Sequence, residues 1–175
     1  MKLKSALGLL MVAGTIAGTG ARVHAEIWAQ TEPAIATVKV SALQGLEIKP
    51  GAHKQLPLRL DVGTVVGEFE ILNTSTADIE DGRIGVTAGA AKYMTSDGKS
   101  LLFVKKDDES QHIAVTVAGA EWKGPEVHNG VSMWVLGSKL AKGASSGPTS
   151  LSAVSLTTNT PGEYETQLQA TLNNN

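Results

Sequence analysis

The chain has 175 residues, of which 42% are hydrophobic and 18% are charged, and its formal net charge is −2. Because this balance is slightly acidic, the composition argues against nucleic acid and anionic membrane surfaces as partners, which require basic patches. The sequence contains no cysteine, which excludes a disulfide framework and thiolate chemistry. Stability must therefore come from packing and backbone pairing.

The N-terminus has the pattern of a secretory signal peptide. Lys2 and Lys4 precede an apolar stretch over residues 6–17, and small or compact residues at positions 23–25 suit cleavage after Ala25. The apolar stretch is too short to span a membrane, although a retained anchor helix is the alternative. Cleavage leaves 150 residues, the size of one domain, with 12 basic residues (15 less the three in residues 1–25) against 17 acidic ones, a net charge of −5.

The segment that follows alternates strictly. One set of side chains is small and apolar and the other is mostly polar, a period of two that is typical of a strand with one buried side; the small set is Ala34, Ala36, Val38, Val40 and Ala42. The phase breaks at residues 43–45, before Leu46. We therefore predict an N-terminal arm over residues 26–42 and a β-domain over residues 43–175. The alternative is an ordinary edge strand paired within its own domain.

Short alternating runs occupy the middle of the chain. Gly, Asn, Asp, Ser and Pro separate them at intervals of roughly ten to fifteen residues, which is typical of a β-sandwich or barrel. Residues 93–104 have the pattern of a hairpin with an Asp97-Gly98 turn. Helical spacing is nearly absent, so we predict an all-β domain.

The C-terminal segment forms a second alternating run. Gly162 follows a turn-forming sequence at residues 159–161, and the apolar face then carries Tyr164, Thr166, Leu168, Ala170 and Leu172. This pattern predicts a long strand with one buried side.

Together, a signal peptide, an arm of small apolar residues, an all-β domain and this C-terminal strand resemble a pilin subunit of the periplasmic chaperone/usher pathway. The resemblance implies an incomplete immunoglobulin-like β-sandwich that lacks its seventh strand and is completed by donor-strand exchange. The absence of a disulfide, and Asn174 in place of an aromatic residue near the C-terminus, are similar to cysteine-free subunits of thin or capsule-like fibres.

The resemblance also implies sites, partners and a location. Ala34, Ala36, Val38 and Val40 would form the donor strand, whereas the C-terminal strand would line the groove and contact the chaperone through Gly162, Tyr164, Leu168, Ala170 and Leu172. The partners would be a periplasmic chaperone, an outer-membrane usher and neighbouring pilins in a head-to-tail polymer. The protein would be exported through the periplasm to the bacterial cell surface as part of a fimbria.

An alternative function is a self-contained secreted β-sandwich that binds a glycan. Trp122 lies in an apparent loop, where it is either the candidate contact for a host receptor or glycan or a residue packed in the core or at its rim, and Trp134 is expected in the core or at its rim. Residues 143–147 match the G-x-S-x-G pattern around Ser145, but no helical pattern follows, as a nucleophile elbow requires. The mature histidines lack metal-ligand spacing. We predict no catalytic residue, cofactor or metal.

Overall fold

The computed structural model describes residues 33–42 and 45–172. The predicted signal peptide and residues 26–32 of the predicted arm, including Trp28, lie outside these residues. In the described part of the chain, no helix is long and apolar enough to cross a membrane.

The described residues form thirteen β-strands and one short 3-10 helix, as the alternating sequence predicts. In chain order the strands are β1 (Ala34–Ala42), β2 (Leu46–Pro50), β3 (Lys54–Leu56), β4 (Arg59–Leu60), β5 (Val65–Asn73), β6 (Ile84–Ala88), β7 (Leu101–Lys105), β8 (Asp108–Ala118), β9 (Trp122–His128), β10 (Val131–Leu136), β11 (Thr149–Ala153), β12 (Thr157–Thr158) and β13 (Gly162–Leu172). The 3-10 helix covers Ala91–Tyr93.

The strands make two layers. One layer has the order β2-β5-β11-β8, and the other has the order β13-β6-β10-β9. Strand β7 joins the layers because it pairs with β8 and also with the first half of β13. Two antiparallel layers of this kind are the architecture of an immunoglobulin-like sandwich, which confirms the predicted fold class. Strand β1 lies off this strand order and pairs with β13 and β3.

The core lies between the layers and is filled by inward side chains of the alternating strands. Its largest fully buried members include Phe69, Phe103, Trp134 and Leu168. Tyr164 is also buried, and its hydroxyl donates to the backbone carbonyl of Thr160 at 3.1 Å. A tyrosine that bonds back to the preceding corner is a recurring feature of immunoglobulin-like folds.

The predicted hairpin at residues 93–104 is present only in part. Gly98 adopts a φ of 70°, and the amide of Thr95 bonds the carbonyl of Ser100 at 2.9 Å, so the turn forms. Before the turn, however, only Met94 pairs with β7, and the preceding residues form the 3-10 helix. The hydroxyl of Tyr93 instead donates to Glu165 of β13 at 2.7 Å.

Candidate functional site

The most unusual feature of the structure is the position of β1. This strand fills the gap between β13 and β3, pairing with β13 over nine residues and with β3 over three. Its ladder with β13 is parallel, from Ala34 opposite Gly162 to Ala42 opposite Ala170. All other ladders between the described strands are antiparallel. The gap that β1 fills, lined by β13, β3 and β5, is called the groove below.

The inner face of β1 consists of the small residues that the sequence alternation predicted to be buried. Ala34, Ala36 and Val38 are buried, and Val40 is partly buried against the core. On β13, the inward residues Tyr164, Leu168 and Ala170 are at most 1% exposed, and Leu172 packs on the core edge. The structure therefore brings the two predicted sets of residues together, within one chain.

A glycine in the middle of β5 makes room for the arm. A Cβ atom added at Gly67 would lie 2.8 Å from Cγ2 of Val38 and 2.8 Å from Cζ of Phe103. Both distances are far below van der Waals contact, so a side chain at this position and Val38 exclude each other. Sequence reasoning did not identify Gly67, because a lone strand glycine carries no sign of which distant side chain lies over it.

The outer face of β1 is attached to β13 by charge. Lys39 Nζ lies 2.7 Å from a carboxylate oxygen of Glu165, whose side chain is only 12% exposed. The hydrogen bond from Lys39, followed by that from Tyr93, lowers the pKa of Glu165. Burial and the contact with Glu165 raise the pKa of Tyr93. The carboxylate thus stays ionised beside the arm.

Two further polar groups mark the groove. Thr37 Oγ1 lies 2.9 Å from Nδ1 of His53, which places one predicted isolated histidine beside the arm. Thr166 faces inward opposite Val38, and its buried hydroxyl has no hydrogen-bond partner among the described residues. Since Val38 offers no polar side chain, the cost of burying this hydroxyl is uncompensated.

The chain connection explains why β1 runs parallel to β13. Only residues 43–45 separate β1 from β2, and they span at most about 14 Å. A Cβ at Gly45 would lie 4.0 Å from Leu172, so β2 begins at the Leu172 end of the sandwich. An antiparallel β1 would end beside Gly162 instead, about 26 Å away along the strand. A chain can therefore fill its own groove only in the parallel direction.

Of the two alternatives for Trp122, the structure shows packing in the core. Its side chain is 8% exposed, its ring packs edge-on against Phe69 with centroids 5.7 Å apart, and its Nε1 donates to Thr149 at 3.1 Å. The neighbouring residues of β9 are exposed, which made the segment resemble a loop. Trp122 is a core residue at a strand start and does not present its ring to a receptor. Trp134 is 1% exposed, within the predicted core.

Ser145 and His128 each contact an acidic side chain. Ser145 Oγ bonds Glu70 rather than a histidine. His128 lies 3.3 Å from Glu126 on the exposed surface. In the described part of the chain, no group of three or more His, Cys, Asp or Glu residues could hold a metal ion.

Solved structures with the same fold are subunits and adhesins of bacterial surface fibres. The Hda pilus minor tip subunit HdaB of Escherichia coli superposes with a TM-score of 0.56 at 14% identity, over 73% of this chain and 82% of that one. The Salmonella SafD adhesin gives 0.53 at 12% identity, over 73% and 82%. A structure of enteroaggregative E. coli AAF fimbriae, from work on fibronectin binding and biofilm formation, gives 0.51 at 12% identity, over 73% and 98%.

No protein-family model matches the sequence, and no curated protein is significantly similar to it. At these low identities the structural similarity concerns the fold. The chain has the fold of pilus and fimbrial subunits, which confirms at that level the resemblance drawn from the sequence.

Proposed function

We propose that the protein is a structural or adhesive subunit of a bacterial surface fimbria, in which the arm of one copy completes the sandwich of the next. The observation that carries this proposal is that β1 fills the groove in the parallel direction and lies off the strand order of the two antiparallel layers. It joins the sandwich through three residues at one end, and its inner side chains are small. Such a strand can be withdrawn without dismantling the two layers.

An arm from a second copy would enter the groove under a different constraint. The short connection of residues 43–45 no longer applies across two molecules, so the antiparallel direction becomes available. Antiparallel pairing is slightly more stable per residue than parallel pairing, which favours exchange over self-pairing. Each backbone hydrogen bond contributes about 0.5–1.5 kcal/mol in either direction. The exchange therefore replaces bonds rather than losing them.

Exchange of this kind generates a fibre. The arm and the groove are different surfaces, so the contact is heterologous and continues from copy to copy without closing. With the groove empty, the sandwich would expose two unpaired strand edges and an apolar face, which promotes aggregation. We therefore expect two partners, a periplasmic chaperone that occupies the groove before assembly and an outer-membrane usher. The assembled fibre would lie on the cell surface.

The proposal includes no enzymatic role. The glycan-binding alternative is weakened because all six aromatic side chains of the described residues are buried, so none offers a ring to a sugar. The similar solved structures are fibre subunits and adhesins.

A reversible cross-link tests the proposal directly. Ser41 and Gln169 are opposite each other in the parallel ladder, both on the outer face, and the chain has no other thiols. Adjacent strands lie about 4.8 Å apart, within the range that a disulfide bridges. We expect the oxidised Ser41→Cys/Gln169→Cys variant to remain monomeric on concentration. After reduction the same sample should form SDS-resistant polymers, as the wild type does under both conditions.

Single Ser41→Cys and Gln169→Cys variants control for the effect of the thiols themselves. If the oxidised double variant polymerises as fast as the reduced one, release of the arm is not required and the exchange proposal is wrong. A wild type that never polymerises would contradict the fimbrial proposal as a whole.

A further inference from the structure

One end of the sandwich carries a cluster of exposed apolar side chains. Leu58 is 45% exposed, Val62 68%, Val154 38% and Leu156 56%. They make up four of the six large hydrophobic side chains that are exposed in the described part of the chain. Scattered single residues of this kind are ordinary, whereas a contiguous group marks an interaction surface.

Backbone pairing places the segments that carry these four residues side by side. The β4–β12 ladder places Leu60 opposite Thr157, and the amide of Asn159 bonds the carbonyl of Leu58 at 2.6 Å. The amide of Gly63 bonds the carbonyl of Ala153 at 2.8 Å, which brings Val62 close to Val154. We call Leu58, Val62, Val154 and Leu156 the apolar end.

The apolar end lies where β13 begins. Leu56, two residues before Leu58, pairs with Ala34, which itself pairs with Gly162. Strand β12 and residues 159–161 lead directly into Gly162. The other two exposed side chains, Val127 and Val131, lie on the β9–β10 hairpin, where Val131 borders the same cavity as Leu172.

The proposed exchange determines which end of the groove meets the incoming copy. An antiparallel arm ends near Gly162 of the acceptor, and only residues 43–45 connect that arm to its own sandwich. The first residue of the incoming β2 must then lie within about 14 Å of the acceptor's Gly162 end. In the self-closed chain the same connection lies at the Leu172 end.

We infer that the apolar end is a docking surface for the sandwich of a second copy of this chain, formed only when the arm is exchanged. Because residues 43–45 are so short, the surface around Gly45 and Ser75 of the incoming copy would lie against the apolar end of the acceptor. Contact between the two sandwiches adds apolar burial to the strand pairing and restricts bending at each junction. This inference rests on the proposed function and specifies a second interface in the fibre.

Thiol protection tests the inference, because the natural chain has no cysteine. Leu156→Cys and Val62→Cys probe the apolar end, and Val127→Cys, at a native exposure of 70% against 68% for Val62, is the matched control. The rate of modification by a maleimide is measured for each variant as monomer and as purified polymer. We expect polymerisation to slow modification several-fold at both apolar-end positions and to leave the control unchanged.

Equal rates in monomer and polymer at positions 156 and 62 would overturn the docking surface while leaving exchange intact, because the polymers themselves report the exchange. Slowing at all three positions would also overturn it, since the protection would then be unspecific. Failure of all variants and the wild type to polymerise would remove the proposed function and this inference with it.

Discussion

Strands β1 and β13 lie side by side with the same alternation, but they belong to the sandwich in different ways. Strand β13 pairs with β1 on one side and with β6 and β7 on the other, and its inner face includes Tyr164 and Leu168. Strand β1 pairs mainly with β13, and its inner face is formed by two alanines and two valines. The backbone ladder of β1 is nearly as long as that of β13, while the side chains of β1 bury much less apolar area.

This difference separates a structural strand from a removable one. Hydrophobic stabilisation scales with the apolar area removed from water, so small side chains leave most of the attachment of β1 to hydrogen bonds that an identical arm can replace. Large side chains on β13 anchor that strand in the core of its own chain. Substitutions that change one strand should therefore have effects distinct from those on the other.

The largest effect should follow from a charge on β13. Leu168 is fully buried, so Leu168→Asp would place a carboxylate in the apolar core without a partner, at a cost of several kcal/mol. We expect this variant to be degraded in the periplasm and to yield no folded monomer. Immunoblots of periplasmic extracts provide the measurement.

The corresponding change on β1 sharpens the contrast. Val38→Asp should expel the arm while leaving β2–β13 assembled enough to accept an arm from outside, such as a synthetic peptide of residues 34–42. Normal accumulation of Leu168→Asp would show that β13 is not the structural strand, and equal loss of both variants would erase the distinction between them.

The second effect tests the space under the arm. Gly67→Ala introduces a Cβ that collides with Val38 and Phe103, and overpacking of this kind costs about 1–3 kcal/mol. We expect reduced thermal stability and faster proteolysis of residues 34–42. Val38→Ala removes one of the two collisions, so the double variant should be more stable than the sum of the single changes allows. Strict additivity would show that Gly67 does not accommodate the arm.

Much of this pair of strands could be predicted from sequence. The period of two gives β1 as Ala34–Ala42 and β13 from Gly162, and the phase break at residues 43–45 separates β1 from β2. The parallel direction of β1 could not be predicted, because a period of two is the same for parallel and antiparallel pairing. It depends on where β2 starts relative to β13, which is a property of the assembled sandwich.

Other features depend on distant contacts in the same way. Trp122 precedes a run of exposed residues, so its local sequence suggested a loop, while its burial depends on Phe69 and Thr149. The space at Gly67 and the pairing of Lys39 with Glu165 join residues far apart in the chain. The boundaries of the donor arm and its role remain predictions.

A smaller effect, and a stabilising one, is expected at Thr166. Its buried hydroxyl has no partner among the described residues, so the nearly isosteric Thr166→Val should raise the free energy of unfolding by about 1 kcal/mol. Thr149→Val is the matched control, because that buried hydroxyl accepts a hydrogen bond from Trp122 and its loss should destabilise the protein. Thermal unfolding of both variants gives the comparison. Destabilisation by Thr166→Val would indicate that the hydroxyl is bonded.

The smallest effect concerns the charge on the outer face of β1 and depends on pH. Because the folded-state pKa of Glu165 lies below its ordinary value of 4.5, its stabilisation is present above that value and is lost as the pH falls through the lower folded pKa. Lys39 is half exposed, so Lys39→Met should cost less than about 1 kcal/mol at neutral pH. The difference in melting temperature between this variant and the wild type should shrink on acidification below pH 4.5, as Glu165 is protonated. Lys49→Met, which removes an equally exposed lysine 3.9 Å from Glu47 on β2, should show little difference at any pH. A Lys39→Met deficit that persists in acid would mean that the lost stability does not come from the ion pair with Glu165.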